Sequence, residues 1–161
     1  SASSRTTPVS PALQACWQAM PKEAQSNPAL LAQYARRLQE AGAGPAAEEL
    51  LRSRLKKQFE PTLAEVYGEL VGPEASKQLA TAEAWLKPET RSAGFLLALA
   101  RLAMRSALWG KARQYLEDAL NLGAGAPAWW LLAQVHEQLG ERSAAETCYR
   151  RGLAVSLGET A

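Results

Sequence analysis

The feature that most constrains this chain is an internal period of 33 residues. When the segment from Ala126 is laid on the segment from Ala93, Trp129 falls on Leu96, Leu132 on Leu99 and Ala133 on Ala100. Ala145 then falls on Ala112, Tyr149 on Leu116, Gly152 on Ala119 and Leu153 on Leu120, with no change of offset. A further copy begins near Pro28, with Leu31, Tyr34, Ala35, Gly42, Ala47 and Leu51 in the same slots. Within each copy the apolar residues recur three and four apart, the period of a helix with one buried face. Alternating strand-like runs are absent. Turn residues punctuate the chain at intervals of one short helix, at Asn27-Pro28, Gly42 to Pro45, Glu60-Pro61, Gly72-Pro73, Lys87-Pro88, Gly110, Gly123 to Gly125 and Gly140. The expectation is all-α: eight or nine helices paired as αα-hairpins.

The order of residues within a copy resembles the tetratricopeptide repeat: a large apolar residue, Leu followed by a small residue, Gly at the turn, Ala, an aromatic, then a small residue. Small side chains at Ala133 and Ala145 let the two helices of a hairpin approach closely, while Trp129 and Tyr149 fill the ends. The resemblance implies a right-handed superhelical array over residues 11–157. Clear units are expected near 28–59, 93–125 and 126–157, with a degenerate one near 60–92 and a disordered Ser/Thr/Pro-rich lead-in over 1–10.

Composition removes several classes of function. A chain of 161 residues with 47% hydrophobic and 21% charged residues can bury a core of its own. A net charge of +2 is too small to argue for nucleic acid. Cys16 and Cys148 are far apart and accompanied by a single histidine, so neither a zinc site nor a disulfide framework is suggested. No apolar run is long enough to span a membrane. The chain starts at Ser1 without an initiator methionine, so the expectation is a fragment or processed form, with any membrane anchor left out.

Three motifs invite chemical readings. His136 and Cys148 lie close in sequence, as a nucleophile and its base would, but both sit in packing slots of the repeat and no orienting third group accompanies them. Two stretches, Gly42 to Ala47 and Gly123 to Ala128, satisfy the GxGxxA dinucleotide fingerprint, yet they follow helical runs where that motif requires a strand. The basic run carrying Arg52, Arg54, Lys56 and Lys57 suits a solvated helix face better than an anionic lipid or an acidic partner. No enzyme, metal or cofactor is expected.

In tetratricopeptide arrays certain first-helix positions face a concave groove. Carried over by position, they nominate Arg36 in the first clear unit, Leu97, Arg101 and Arg105 in the next, and Trp130, Gln134 and Glu137 in the last. The guanidinium groups would suit carboxylates, and Leu97 and Trp130 would supply apolar contact, with Trp129 filling the core slot beside Trp130.

The segments Ala82 to Glu89, Leu96 to Leu120 and Leu132 to Leu153, and most specifically Leu108-Trp109-Gly110-Lys111-Ala112-Arg113, resemble the C-terminal region of the bacterial HemY family. That resemblance implies the soluble repeat domain of an inner-membrane protein associated with late protohaem synthesis, with no active site of its own. Its partners would be late haem-synthesis enzymes, its membrane association would come from an absent N-terminal anchor, and this domain would face the cytoplasm. Homo-oligomerisation stays open. The alternative is a tetrapyrrole-binding module in which the groove arginines hold propionates and His136 ligates iron.

Overall fold

The structure, a computed structural model, describes residues 11–158, so the lead-in expected over 1–10 lies outside the described residues. These residues are all-helical and contain no strand. Ten helices run in the order α1 (Pro11–Gln18), α2 (Lys22–Ser26), α3 (Pro28–Glu40), α4 (Gly44–Lys57), α5 (Pro61–Tyr67), α6 (Ala75–Glu83), α7 (Ala93–Arg105), α8 (Trp109–Asn121), α9 (Ala126–Gln138) and α10 (Arg142–Ser156). Among the described residues they fall into two compact units that divide between Pro73 and Glu74, within the segment expected to hold the degenerate repeat.

The helix boundaries follow the sequence signals. Asn27 caps α3 by accepting a hydrogen bond from the Leu30 amide at 3.1 Å, with Pro28 at the first helical position. Ser92 caps α7 in the same way through the Phe95 amide. The basic run ends α4, where Arg54, Lys56 and Lys57 meet the negative end of the helix dipole.

The 33-residue offset is carried by the backbone. α9 begins 33 residues after α7, and α10 begins 33 after α8. The turns agree as well. In both hairpins the second residue after the first helix takes a left-handed conformation, Ala107 at φ 56° and Gly140 at φ 75°. The following amide then reaches five residues back, Leu108 to the Ala103 carbonyl at 2.9 Å and Glu141 to the His136 carbonyl at 2.8 Å. This is the hydrogen bond of a Schellman cap, and the turn after α3 repeats it with Gly42 and an Ala43 to Leu38 bond.

Small residues sit where the helices of each hairpin come together. Ala35 and Ala47, Ala100 and Ala112, and Ala133 and Ala145 are all at most 2% exposed. In the first unit the core is completed by Leu31, Leu38, Leu51, Leu55, Leu63 and Tyr67. In the second, α7 packs on α6, α8 and α9 and buries seven of its 13 residues, among them Phe95, Leu96 and Leu99.

Two close approaches need glycine. Gly44, at the start of α4, lies so near the Val71 carbonyl that a Cβ would sit 2.4 Å from it. Gly152 on α10 lies under the Trp130 ring, 2.7 Å from where a Cβ would be.

The ten helices among the described residues exceed the eight or nine expected, and the segment before Pro28 supplies two of them. α1 buries none of its residues completely and is held by the Trp17 ring, which stacks on Tyr34 with centroids 4.4 Å apart. The Gln25 side-chain amide ties α2 to the end of α1 by donating to the Trp17 and Met20 carbonyls, at 2.9 and 3.0 Å.

Candidate functional site

The candidate partner-binding residues divide between the two units. Arg36 belongs to the first, and its guanidinium is held by Glu69 through two hydrogen bonds of 2.9 and 3.0 Å. A fork-to-fork pair of this kind uses the geometry that a partner carboxylate would need. The hydrogen bond to Glu69 holds the guanidinium pKa above its ordinary value. Glu69 stands 33 residues after Arg36, in the turn that follows α5. That offset was the one sequence signal that could have revealed it.

The other six residues lie on α7 and α9, two helices in contact with each other. Leu97 and Arg101, one turn apart on α7, are both half-buried. The Arg101 side chain makes no hydrogen bond or ion pair among the described residues. Arg105 is half-buried one turn further on and is not free. On α9, Gln134 and Glu137 are exposed and Trp130 is half-buried. Glu137 accepts a hydrogen bond from the Tyr149 phenol, which pushes that phenol's pKa up.

Trp130 departs from the expected arrangement. It packs on Gly152 and has its ring centroid 6.2 Å from that of Tyr149. Trp129 is half-buried with the Arg151 guanidinium 5.5 Å from its ring centroid. The indole lying on the α9–α10 seam is thus Trp130. Its neighbour, expected in the core, sits under a cation. The reason is Gly152: a missing side chain on α10 leaves a depression that a large ring fills.

His136 and Cys148 are packed inside the second unit. The His136 side chain is 12% exposed, and its buried Nδ1 lies 3.4 Å from a Glu141 oxygen without a hydrogen bond. Arg113 approaches the other oxygen of that carboxylate at 3.6 Å. Cys148 is 5% exposed, and burial pushes its thiol pKa up, away from thiolate chemistry. Cys16 is exposed and belongs to the other unit. Both GxGxxA stretches run from a helix-to-helix turn into the first turn of the next helix, with no strand before them.

The basic run is sorted by its neighbours. Arg52 donates to Glu48 at 3.0 Å, and that same carboxylate, 7% exposed, accepts the fully buried Tyr67 hydroxyl at 2.6 Å. Arg54 donates to the Ser26 carbonyl at 2.8 Å, and Lys56 and Lys57 are exposed. Among the described residues no group of three or more His, Cys, Asp or Glu side chains could hold a metal ion, and no helix is long and apolar enough to cross a membrane.

The fold and these placements define an all-helical protein with repeated hairpins. Neither the models of known protein families nor the curated proteins contain a match to the chain.

Proposed function

We propose that this chain is a non-catalytic scaffold of tetratricopeptide-like superhelical form, and that it binds a protein partner through the α7–α9 face of its second unit. The observation that carries the reading is Arg101. Arg101 is half-buried, lies one turn from half-buried Leu97 and makes no side-chain hydrogen bond or ion pair among the described residues, so its guanidinium is available to an acceptor from outside. An acidic side chain or a chain terminus supplies such an acceptor, with Leu97 adding apolar contact.

The resemblance of the Ala82 to Leu153 segments to the HemY family supports placing this domain at the bacterial inner membrane, on the cytoplasmic side. Late haem-synthesis enzymes are then its partners, and an N-terminal segment is its anchor. The tetrapyrrole alternative uses the same arginines but needs an outward-facing imidazole, and the burial of His136 weighs against it.

The experiment is a pull-down from bacterial membrane extract with the wild-type chain and an Arg101→Glu variant as baits. The reading expects late haem-synthesis enzymes with the wild type and their loss with the variant. Equal recovery by both baits refutes the α7–α9 face, and recovery by neither refutes the scaffold role of this domain.

A further inference from the structure

The first unit carries a second feature that the function above does not use. Between α1, α2, α3 and α4 lies an open cleft of about 410 Å³. Its apolar floor is Trp17, Leu31 and Leu50. Lys22 from α2 and Arg54 and Lys57 from α4 bring three cations to its rim, and no residue lining it carries a carboxylate. Neither lysine ammonium has an ion-pair partner among the described residues, and Arg54 spends only one nitrogen on the Ser26 carbonyl. Three cations around a cleft without a carboxylate give its rim a positive potential that favours an anion.

Trp17 is also a wall of an adjoining cavity of about 200 Å³, lined chiefly by Leu13, Met20, Leu30 and Tyr34. The two cavities share one indole, held in place by its stack on Tyr34. Leu13 and Trp17 on α1 and Met20 just beyond its end stay half-buried, leaving apolar surface beside the cations.

We propose that this two-part cleft binds an acidic peptide segment of a partner protein, its carboxylates on Lys22, Arg54 and Lys57 and an apolar side chain in the cavity beside Trp17. Charge decides the occupant. A second copy of this chain meeting the cleft symmetrically sets cation against cation. The chain's own first ten residues contain Arg5 and no carboxylate, so they do not complement it either. An open cleft with separate cationic and apolar compartments matches an extended peptide with an apolar anchor beside acidic residues.

The test uses the whole chain and a fluorescein-labelled pool of acidic peptides, each with one central Leu, Ile, Phe or Trp between flanking Asp and Glu residues. Fluorescence anisotropy is read at about 0.05 M and about 0.5 M NaCl, where screening separates charge from apolar contact. The expected result is binding that weakens with salt, falls at least about tenfold in a Lys22→Glu/Lys57→Glu variant, and is unchanged in Arg101→Glu. Both lysines are exposed, so circular dichroism of the double variant should match the wild type. Absence of binding by every member of the pool overturns the proposal, as does binding indifferent to the two lysines. Binding lost in Arg101→Glu instead moves the peptide to the α7–α9 face. Lysine-dependent binding to phosphatidylglycerol vesicles without peptide binding makes a membrane the occupant and overturns it too.

Discussion

Ala107 is the place where the repeat breaks its own rule, and replacing it by glycine tests whether the turn geometry is understood. Its φ of 56° lies in the left-handed region, where the equivalent residue of the next hairpin is Gly140 at 75°. The left-handed conformation costs an L-residue about 1–2 kcal/mol through the clash of Cβ with the backbone. Ala107→Gly removes that cost. Against it stands the greater freedom of glycine in the unfolded chain, about 0.4–1 kcal/mol. The Ala107 methyl is exposed and its loss leaves no cavity. The Leu108 to Ala103 hydrogen bond needs only the backbone and survives. The net expectation is about 0.5–1 kcal/mol of stabilisation, or roughly 1–4 °C in Tm for a chain of this size.

Four of the five tryptophans lie in the second unit, so thermal unfolding followed by tryptophan fluorescence reads the affected part of the molecule. The reciprocal change, Gly140→Ala, meets open space and should lose stability of the same order. A lower Tm for Ala107→Gly, or no change for Gly140→Ala, would refute the argument.

Other expectations follow from buried groups. In the first unit Glu48→Ala removes the carboxylate that accepts the fully buried Tyr67 hydroxyl. It should cost about 2–3 kcal/mol in urea unfolding, whereas Tyr67→Phe, which removes the donor together with that bond, costs less; equal losses would show that Glu48 acts by packing alone. Tyr115 hydrogen-bonds to Glu83, and burial first, then that bond, push its phenol well above the ordinary tyrosine value. The folded state therefore keeps the proton longer than the unfolded one, so the stability Tyr115 contributes is complete below about pH 10 and is lost as pH rises beyond it. Alkaline unfolding of Tyr115→Phe should lack that loss, and identical pH profiles would discount the bond. Iodoacetamide at mild alkaline pH should label exposed Cys16 in the native chain and Cys148 only after denaturation, a result that rapid double labelling would contradict.

The helical hairpins were legible because helix formation and close packing are largely local. Three pairs of alanines set twelve residues apart declared where helices meet, and all six are buried. The turns at Gly42 and Gly140 could be placed as well, whereas Gly110, expected at a turn, lies inside α8, and the turn before that helix is made at Ala107. Within the candidate site the sequence named the right helices but could not tell which side chains are already occupied. Arg36 is taken by Glu69, and Glu137 by Tyr149. A residue on a partner-facing position reads the same in sequence whether or not a neighbour has claimed it.

What the sequence determined by itself is the helical period, the caps and the spacing of the repeats, because each depends on backbone propensities and on residues within a few turns. What only the tertiary structure decided is which of two adjacent tryptophans fills a seam, and which cations face a common cleft. Trp130 lies on α10 because Gly152, 22 residues on, leaves room for it. Lys22 joins Arg54 and Lys57 because α1 stacks Trp17 on Tyr34 and Gln25 draws α2 to the end of α1. These outcomes depend on contacts between residues distant in the chain, for which local periodicity carries no information.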